Sequence, residues 1–249
     1  YNPVPAIMHH ISDAHEWHLW GEGHSSFSIP LPVILYSEGQ FDVFLSSEFH
    51  HGKKHVIRGG REYSLDHGHL AEVNNKKFID LSITKNVASM FLAVLVLLLL
   101  FVLGGGRANK NKQEPRGLLS FLEPLVLFVR DDIVKPNVGK KYKKYTPYLL
   151  TLFFFILVNN LLGLIPGGAN VTGNIAITLV LSFITLLVTN FSANKSYWGH
   201  IFKPPGVPLA LMPIMIPIEI VGVFTKPFAL MIRLFANISA GHIIILSLI

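Results

Sequence analysis

The sequence predicts an all-α polytopic membrane protein with a polar N-terminal extension that contains short strands. Three observations carry this reading. The 249 residues are 51% hydrophobic and only 14% charged, with a mean hydropathy of +0.47, too apolar for an ordinary soluble domain. Long apolar runs follow residue 85, and the basic residues between them collect in short loops. The last run holds an arginine, Arg233, with no acidic residue between Glu219 and Ile249. An arginine at the centre of a membrane helix costs about 2.5–3.5 kcal/mol on insertion scales, so it normally faces a partner or a water-filled path.

The net charge of +6 is read by location, because Lys and Arg in short loops orient membrane helices. The basic residues flank apolar spans, which argues against a nucleic-acid partner. The chain has no Cys, so disulfides, thiolate catalysis and Cys-based metal sites are excluded. It begins at Tyr1 and stops inside an apolar run at Ile249. A removed leader or upstream segment, and further chain after Ile249, are expected on that account.

Residues 1–85 are polar and lack a 3.6-residue period. Ten of the twelve histidines lie here. His15 and His18 have helical i,i+3 spacing and His51 and His55 have i,i+4 spacing, which suits two metal ligands on one face. The spacings do not repeat, so a solvated extension that holds no metal is the preferred reading. Strand character at 29–36 and 40–45, with Gly39 at a turn between them, predicts a small β-rich or irregular domain.

The first span is 86–103, uncharged and long enough to cross a hydrocarbon core of about 30 Å. The loop after it carries Arg107, Lys110, Lys112 and Arg116. The positive-inside rule puts that loop in the cytoplasm and residues 1–85 on the opposite side. Residues 117–134 have helical apolar spacing, but Glu123, Pro124, Arg130, Asp131 and Asp132 interrupt it. This segment is expected to lie on the cytoplasmic membrane face as an amphipathic helix. The second span is 148–165. Asn159 and Asn160 near its far end need hydrogen-bond partners, either on a neighbouring helix or along a hydrated path. The third span, 175–191, carries Thr178, Ser182, Thr185 and Thr189, which let helices approach and hydrogen-bond across. The loop 192–205 returns to the cytoplasm.

From 207 to 249 the chain hardly leaves apolar character. A helix of that length is about twice the thickness of a bilayer core, so a strongly tilted, bent helix is expected. Glu219, Lys226 and Arg233 recur at a spacing of seven. That spacing drifts only about 20° per heptad, so a continuous helix projects all three to nearly one face. Asn237 extends that face, Ala240 and Gly241 continue it, and His242 points away from it. Ala236, Ala240 and Gly241 would let another helix pass close to Arg233. An internal Glu219–Lys226 pair with a snorkelling Arg233 is the alternative.

The run TKPFALMIRLFANISAGH resembles the signature of subunit a of F-type ATP synthases, the stator of the membrane proton channel. LLSFLEPLVLFVRDDIVKPNVG, NNLLGLIPGGANVTGNIAITLVL and IPIEIVGVFTKPF agree, so the likeness covers about residues 86–249 in order. The histidine-rich part is similar to the N-terminal extension of this subunit in Bacteroidetes-type bacteria. The resemblance implies a non-catalytic, proton-conducting subunit without cofactor or metal, in the cell inner membrane, with residues 1–85 periplasmic. Its implied partners are a rotor ring of small carboxylate-bearing subunits, the peripheral stalk subunit b, indirectly the soluble catalytic sector, and the lipid bilayer. Arg233 then matches the arginine that faces each rotor carboxylate. Asn237, His242 and Glu219 match proton-path positions, with Lys226, Gly241, Ala240 and Asn160 as supporting or packing residues. Gly163 stands where some members carry Asp, so no relay is expected there. The family's final helix is not among these residues, so the outer half-channel is not traced in full. An independent secondary transporter that binds an anionic substrate at Arg233 is the competing function. It predicts an internally repeated half, and no repeat is visible.

Overall fold

The computed structural model describes residues 13–20, 27–50, 52, 54–66, 69–73, 77–110, 118–165, 168–202 and 211–248. Two units divide the chain, His9–Val171 and, together with Tyr1–Met8, Thr172–Ile249.

Among the described residues the first unit opens with eight strands: β1 (Glu16–Trp20), β2 (Phe27–Pro30), β3 (Pro32–Ser37), β4 (Gln40–Leu45), β5 (Val56–Arg58), β6 (Arg61–Asp66), β7 (His69–Glu72) and β8 (Ile79–Asp80). They form a two-stranded sheet, β1-β2, and two three-stranded sheets, β4-β3-β8 and β5-β6-β7. The β3–β4 hairpin turns through Glu38 (φ 51°) and Gly39 (φ 83°). Two central residues at positive φ make the tight turn whose twist matches paired strands. The strand read from the sequence at 40–45 is present, and the run read at 29–36 is divided between β2 and β3, which join different sheets.

Val33, Leu35, Phe44, Phe49, Val56 and Tyr63 form the core between the two larger sheets. A buried polar network lies beside it. Asp42 and Arg61 pair at 3.0 Å, with side chains only 9% and 6% exposed. The Tyr63 hydroxyl donates to Asp42 at 2.8 Å, and Arg61 donates to the Ser37 carbonyl at 2.6 Å. Burial, and then the bond to the Asp42 carboxylate, push the Tyr63 hydroxyl up to about 12. A buried charge is tolerable only when it is paired and hydrogen-bonded, and this network satisfies that condition for Asp42.

Before residue 85, the described histidines lie in strands, turns and extended chain, not in α-helices. His15 precedes β1 and His18 lies within it. Extended chain sends residues three apart to opposite faces, so the helical spacing of His15 and His18 does not hold. His15 is buried, with Nε2 3.0 Å from Asp80 Oδ2. His55 lies 2.7 Å from Glu62. No group of three or more metal-ligating side chains occurs among the described residues. His9, His10, His24, His51 and His67, and the side chain of His69, lie outside them.

The β domain is tied to the first long helix, α1 (Lys85–Lys110), without a free linker. Leu81 N donates to Ile34 O (2.9 Å), Ile83 N to Pro32 O (3.1 Å) and Lys85 N to Ala14 O (2.8 Å). Asp13 Oδ1 accepts from Asn86 N at 3.1 Å. A residue more than 70 positions upstream thus satisfies one of the open N–H groups of the first turn. Burial alone would raise the Asp80 carboxyl, but hydrogen bonds from His15 and Ser82 outweigh it and hold the group near about 2. Its folded-state value lies below its ordinary 3.8, so the stability it contributes is complete above that pH and is lost as pH falls through about 2. The hydrogen-exchange protection factor at Lys85, taken relative to the intrinsic rate at each pH, is therefore expected to be the same at pH 5 as at pH 7, and to fall only as the pH approaches 2. Loss of protection already at pH 5 would contradict the clamp.

α1 continues past residue 103 through Gly104–Gly106 to Lys110, further than the predicted span. Glycine weakens a helix by about 1 kcal/mol relative to Ala but does not stop it, and no proline or cap stands there. α2 (Leu118–Leu127) runs into a π-helical segment, Phe128–Val134, and a short turn, Lys135–Val138. Leu122, Val129 and Val134 are buried, whereas Phe121, Glu123 and Phe128 are exposed. Arg130 grips Asp131 through two bonds of 3.0 and 2.7 Å. α3 (Tyr142–Gly163) begins six residues before the predicted 148. It packs along α1, with Phe101 and Phe154 edge to face at 5.0 Å. Just after α3, a Cβ added to Gly168 would lie 2.1 Å from Leu162 O, so only glycine fits this turn.

The second unit holds α4 (Ile175–Ser192), α5 (Lys195–Phe202) and α6 (Met212–Leu248). Asn174 caps α4, its side chain accepting from Ala176 N at 2.9 Å. Thr178 and Ser182 are buried. Their hydroxyls bond to carbonyls of their own helix, Ile175 O (3.1 Å) and Leu179 O (2.9 Å), not across to another helix as expected. In an apolar setting the nearest carbonyl one turn back satisfies a hydroxyl without requiring a partner. α5 occupies a stretch read as loop. α6 is a single helix of 37 residues with Pro217 and Pro227 inside, about 55 Å at 1.5 Å per residue. Residues 207–210 and 249 of the predicted segment lie outside the described residues.

Among the described residues, four helical stretches are long and apolar enough to cross a membrane: Lys85–Leu103, Ser120–Gly163, Ile175–Ser192 and Met212–Gly241.

Candidate functional site

Two lines of residues run along α6, and they diverge. The packed line passes through Met215, Glu219, Val223, Pro227, Met231 and Phe235, all half-buried or buried. Its four-residue step advances around the helix by about 40° each time. The charged line passes through Glu219, Lys226 and Arg233 and falls back by about 20° each time. The two lines start together at Glu219, which is half-buried. By Arg233 they are roughly 160° apart. Met231, 4% exposed, therefore lies on the inner side of α6, where α4 and α5 pack against the helix. Lys226, Arg233, Asn237 and Ala240 are exposed. A Cβ added to Gly241 would meet nothing within 4 Å, so a second helix could come close beside Arg233.

No ion pair among the described residues involves Glu219, Lys226 or Arg233. The internal Glu219–Lys226 pair considered from the sequence is not formed. Seven residues put the two α-carbons about 10 Å apart along the axis, and Glu219 is half-buried while Lys226 is exposed. The side chain of His242 lies outside the description.

On α3 the sequence singled out Asn160, which is half-buried and makes interactions of its own. Its neighbour Asn159 is the more deeply buried, at 1% exposure. Asn159 Nδ2 donates to Phe155 O at 2.8 Å, and its Oδ1 is buried without a hydrogen-bond partner among the described residues. The signal that could have found it is Gly163, four residues on and also buried, which marks this side of α3 as the one that approaches other backbone.

Against known proteins, the family model described as ATP synthase A chain matches residues 87–249, which include all of α4, α5 and the Arg233 face of α6. The chain belongs to this family. A second model, for a domain of unknown function, matches residues 6–89. A protein of Chlorobium phaeobacteroides (strain BS1) named ATP synthase subunit a is 55% identical over 177 residues, 68% of this chain and 52% of that protein. ATP synthase subunit a 2 of Chlorobaculum tepidum is 53% identical over 176 residues, 68% of this chain and 49% of its own length. ATP synthase subunit a of Chloroherpeton thalassium is 42% identical over 203 residues, 78% and 61% of the two chains. The chain spans about half the length of the first two. With its family and its apolar helices, this ATP synthase A chain relative is a membrane protein.

Proposed function

We propose that the chain is the proton-conducting stator subunit of the membrane sector of an ATP synthase, itself non-catalytic. The observation that carries this reading is the exposed Arg233, unpaired within the described residues, on the side of α6 opposite the buried Met231. A lipid-facing arginine is too costly to keep without a partner. No acidic group among the described residues pairs with it, and the partner proposed for it is a carboxylate on a rotor ring.

The chemistry follows from the charge. A rotor carboxylate must be neutral while it crosses lipid and ionised while it passes the stator. A cation within about 4–6 Å lowers a carboxylate pKa by about 1–3 units. At an effective dielectric of about 20 the attraction is about 4 kcal/mol at 4 Å, enough to strip the proton and weak enough to release the ring. Arginine cannot itself deprotonate, so it also separates two water paths. Glu219, Asn237 and His242 are proposed to line those paths, with Lys226, Ala240, Gly241 and Asn160 supporting them. The driving force is about 2.3 kcal/mol per charge per 100 mV.

In this reading residues 1–85 form an extracytoplasmic domain and residues 86–249 the membrane domain of an inner-membrane protein. The α2 segment lies on the cytoplasmic face beside the basic loops, and the conducted ion is H⁺. The peripheral stalk subunit b holds the chain, and the soluble catalytic sector is coupled only through the ring. Affinity purification of the tagged chain from gently solubilised membranes is expected to bring down a ring of small carboxylate-bearing subunits. Recovery of the chain alone, with transport activity of its own, would contradict the proposal.

A further inference from the structure

We propose that the outer face of the β4-β3-β8 sheet rests on the bilayer surface at the point where α1 enters it. Residues directly opposite on paired strands share a face. The register pairs Tyr36 with Phe41 and Ile79, Ile34 with Val43, and Pro32 with Leu45. The bonds Leu81 N to Ile34 O and Ile83 N to Pro32 O continue the β8 side beyond its last strand residue. The outer face is thus a three-by-three grid of apolar residues without a charge. Phe41, Val43, Leu45, Ile79 and Leu81 are 64%, 61%, 48%, 57% and 53% exposed. The inner face of the same sheet already supplies Val33, Leu35 and Phe44 to the core. A strand such as β3, apolar on both faces, is expected to be covered on both.

Two arguments select the bilayer as the cover. The first is reach. Ile83, in the last row of the grid, is two residues before Lys85, where the apolar stretch of α1 begins. At about 3.5 Å per residue that row lies within about 7 Å of the start of the span. That distance is about the depth of the headgroup region. Hydrogen bonds fix the connection at Leu81, Ile83, Lys85 and Asn86, so the domain cannot swing clear. The second is area. Three strands and five residues span roughly 250 Å², well below the roughly 800 Å² per partner of a stable protein interface. A surface already anchored by a membrane helix needs no such area.

The proposal rests on α1 spanning the membrane and not on proton conduction. The chain has no Cys, so single cysteines can carry a nitroxide label: Val43→Cys and Leu81→Cys on the grid, Lys54→Cys as a water reference and Leu98→Cys as a bilayer reference within α1. The labelled full chain is reconstituted in vesicles of phosphatidylethanolamine and phosphatidylglycerol. Its collision rates with oxygen and with a water-soluble nickel chelate are then compared. The oxygen-to-nickel ratio is expected to be several-fold higher at 43 and 81 than at 54, moving towards that at 98. Ratios at 43 and 81 equal to that at 54 would overturn the proposal. Labels at 43 and 81 shielded from both reagents would also overturn it, because a protein would then cover the face. A water-like ratio at 98 would remove α1 from the bilayer and the proposal with it.

Discussion

Arg233→Ala is expected to abolish proton-driven ATP synthesis while the complex still assembles. The side chain is exposed, so its removal leaves no cavity, and exposed substitutions usually change stability by less than about 0.5 kcal/mol. On the proposed function, what disappears is the attraction that ionises the passing carboxylate. At about 4 kcal/mol, its loss slows a step limited by that ionisation by about a thousandfold. Arg233→Lys keeps the charge but replaces a planar, permanently protonated fork with a compact ammonium that can lose its proton when desolvated. It is expected to recover only a small fraction of the rate. ATP synthesis by vesicles under an imposed proton gradient measures the effect, and native electrophoresis measures assembly. Normal coupling in the alanine variant would remove Arg233 from the mechanism.

Arg61→Ala is expected to give the largest loss of stability in the β domain, about 3–5 kcal/mol, by leaving the Asp42 carboxylate buried without its cation. Asp42 is 8% exposed and Arg61 is 5% exposed, so water cannot replace the lost partner easily. The double variant Asp42→Leu with Arg61→Met removes both charges and is expected to recover most of the loss, because well-packed apolar residues often substitute for a buried pair. Hydrogen exchange of the full chain across β3 to β6 reads both variants. Equal protection in the wild type and Arg61→Ala would show that the network adds nothing.

The membrane part of the fold was legible in the sequence because length and apolar character are sufficient signals there. The span at 175–191 matches α4 to within a residue, and 207–249 contains the single helix α6. The helix ends were less legible. Gly104–Gly106 reads as a stop but carries no structure that forces one, and Tyr142 starts α3 early because two lysines do not prevent a helix outside the apolar stretch. The β domain was half legible. The β3–β4 hairpin carries alternation and a Gly turn, whereas Asp13 capping α1 and His15 meeting Asp80 are contacts across more than 60 positions. No local pattern encodes such a contact. The candidate site divides the same way. The heptad of Glu219, Lys226 and Arg233 was visible as spacing, but the burial of Glu219 was not. Its position depends on a packed line with a different step, and that line is defined by α4 and α5. Asn159 and Asn160 were both visible as amides in an apolar run, but which of them is the buried one was not, because adjacent amides are distinguished only by the side of the helix that is covered.

The central claim is that the bare face of α6, and not its packed face, meets the rotor. Disulfide cross-linking in the assembled complex tests it most directly, because the chain has no cysteine of its own. A cysteine is placed beside the rotor carboxylate and paired in turn with Asn237→Cys, Ala240→Cys and Met231→Cys. Cross-links at 237 and 240, with none at 231, are the predicted result. A cross-link at 231, with none at 237 or 240, would contradict the account.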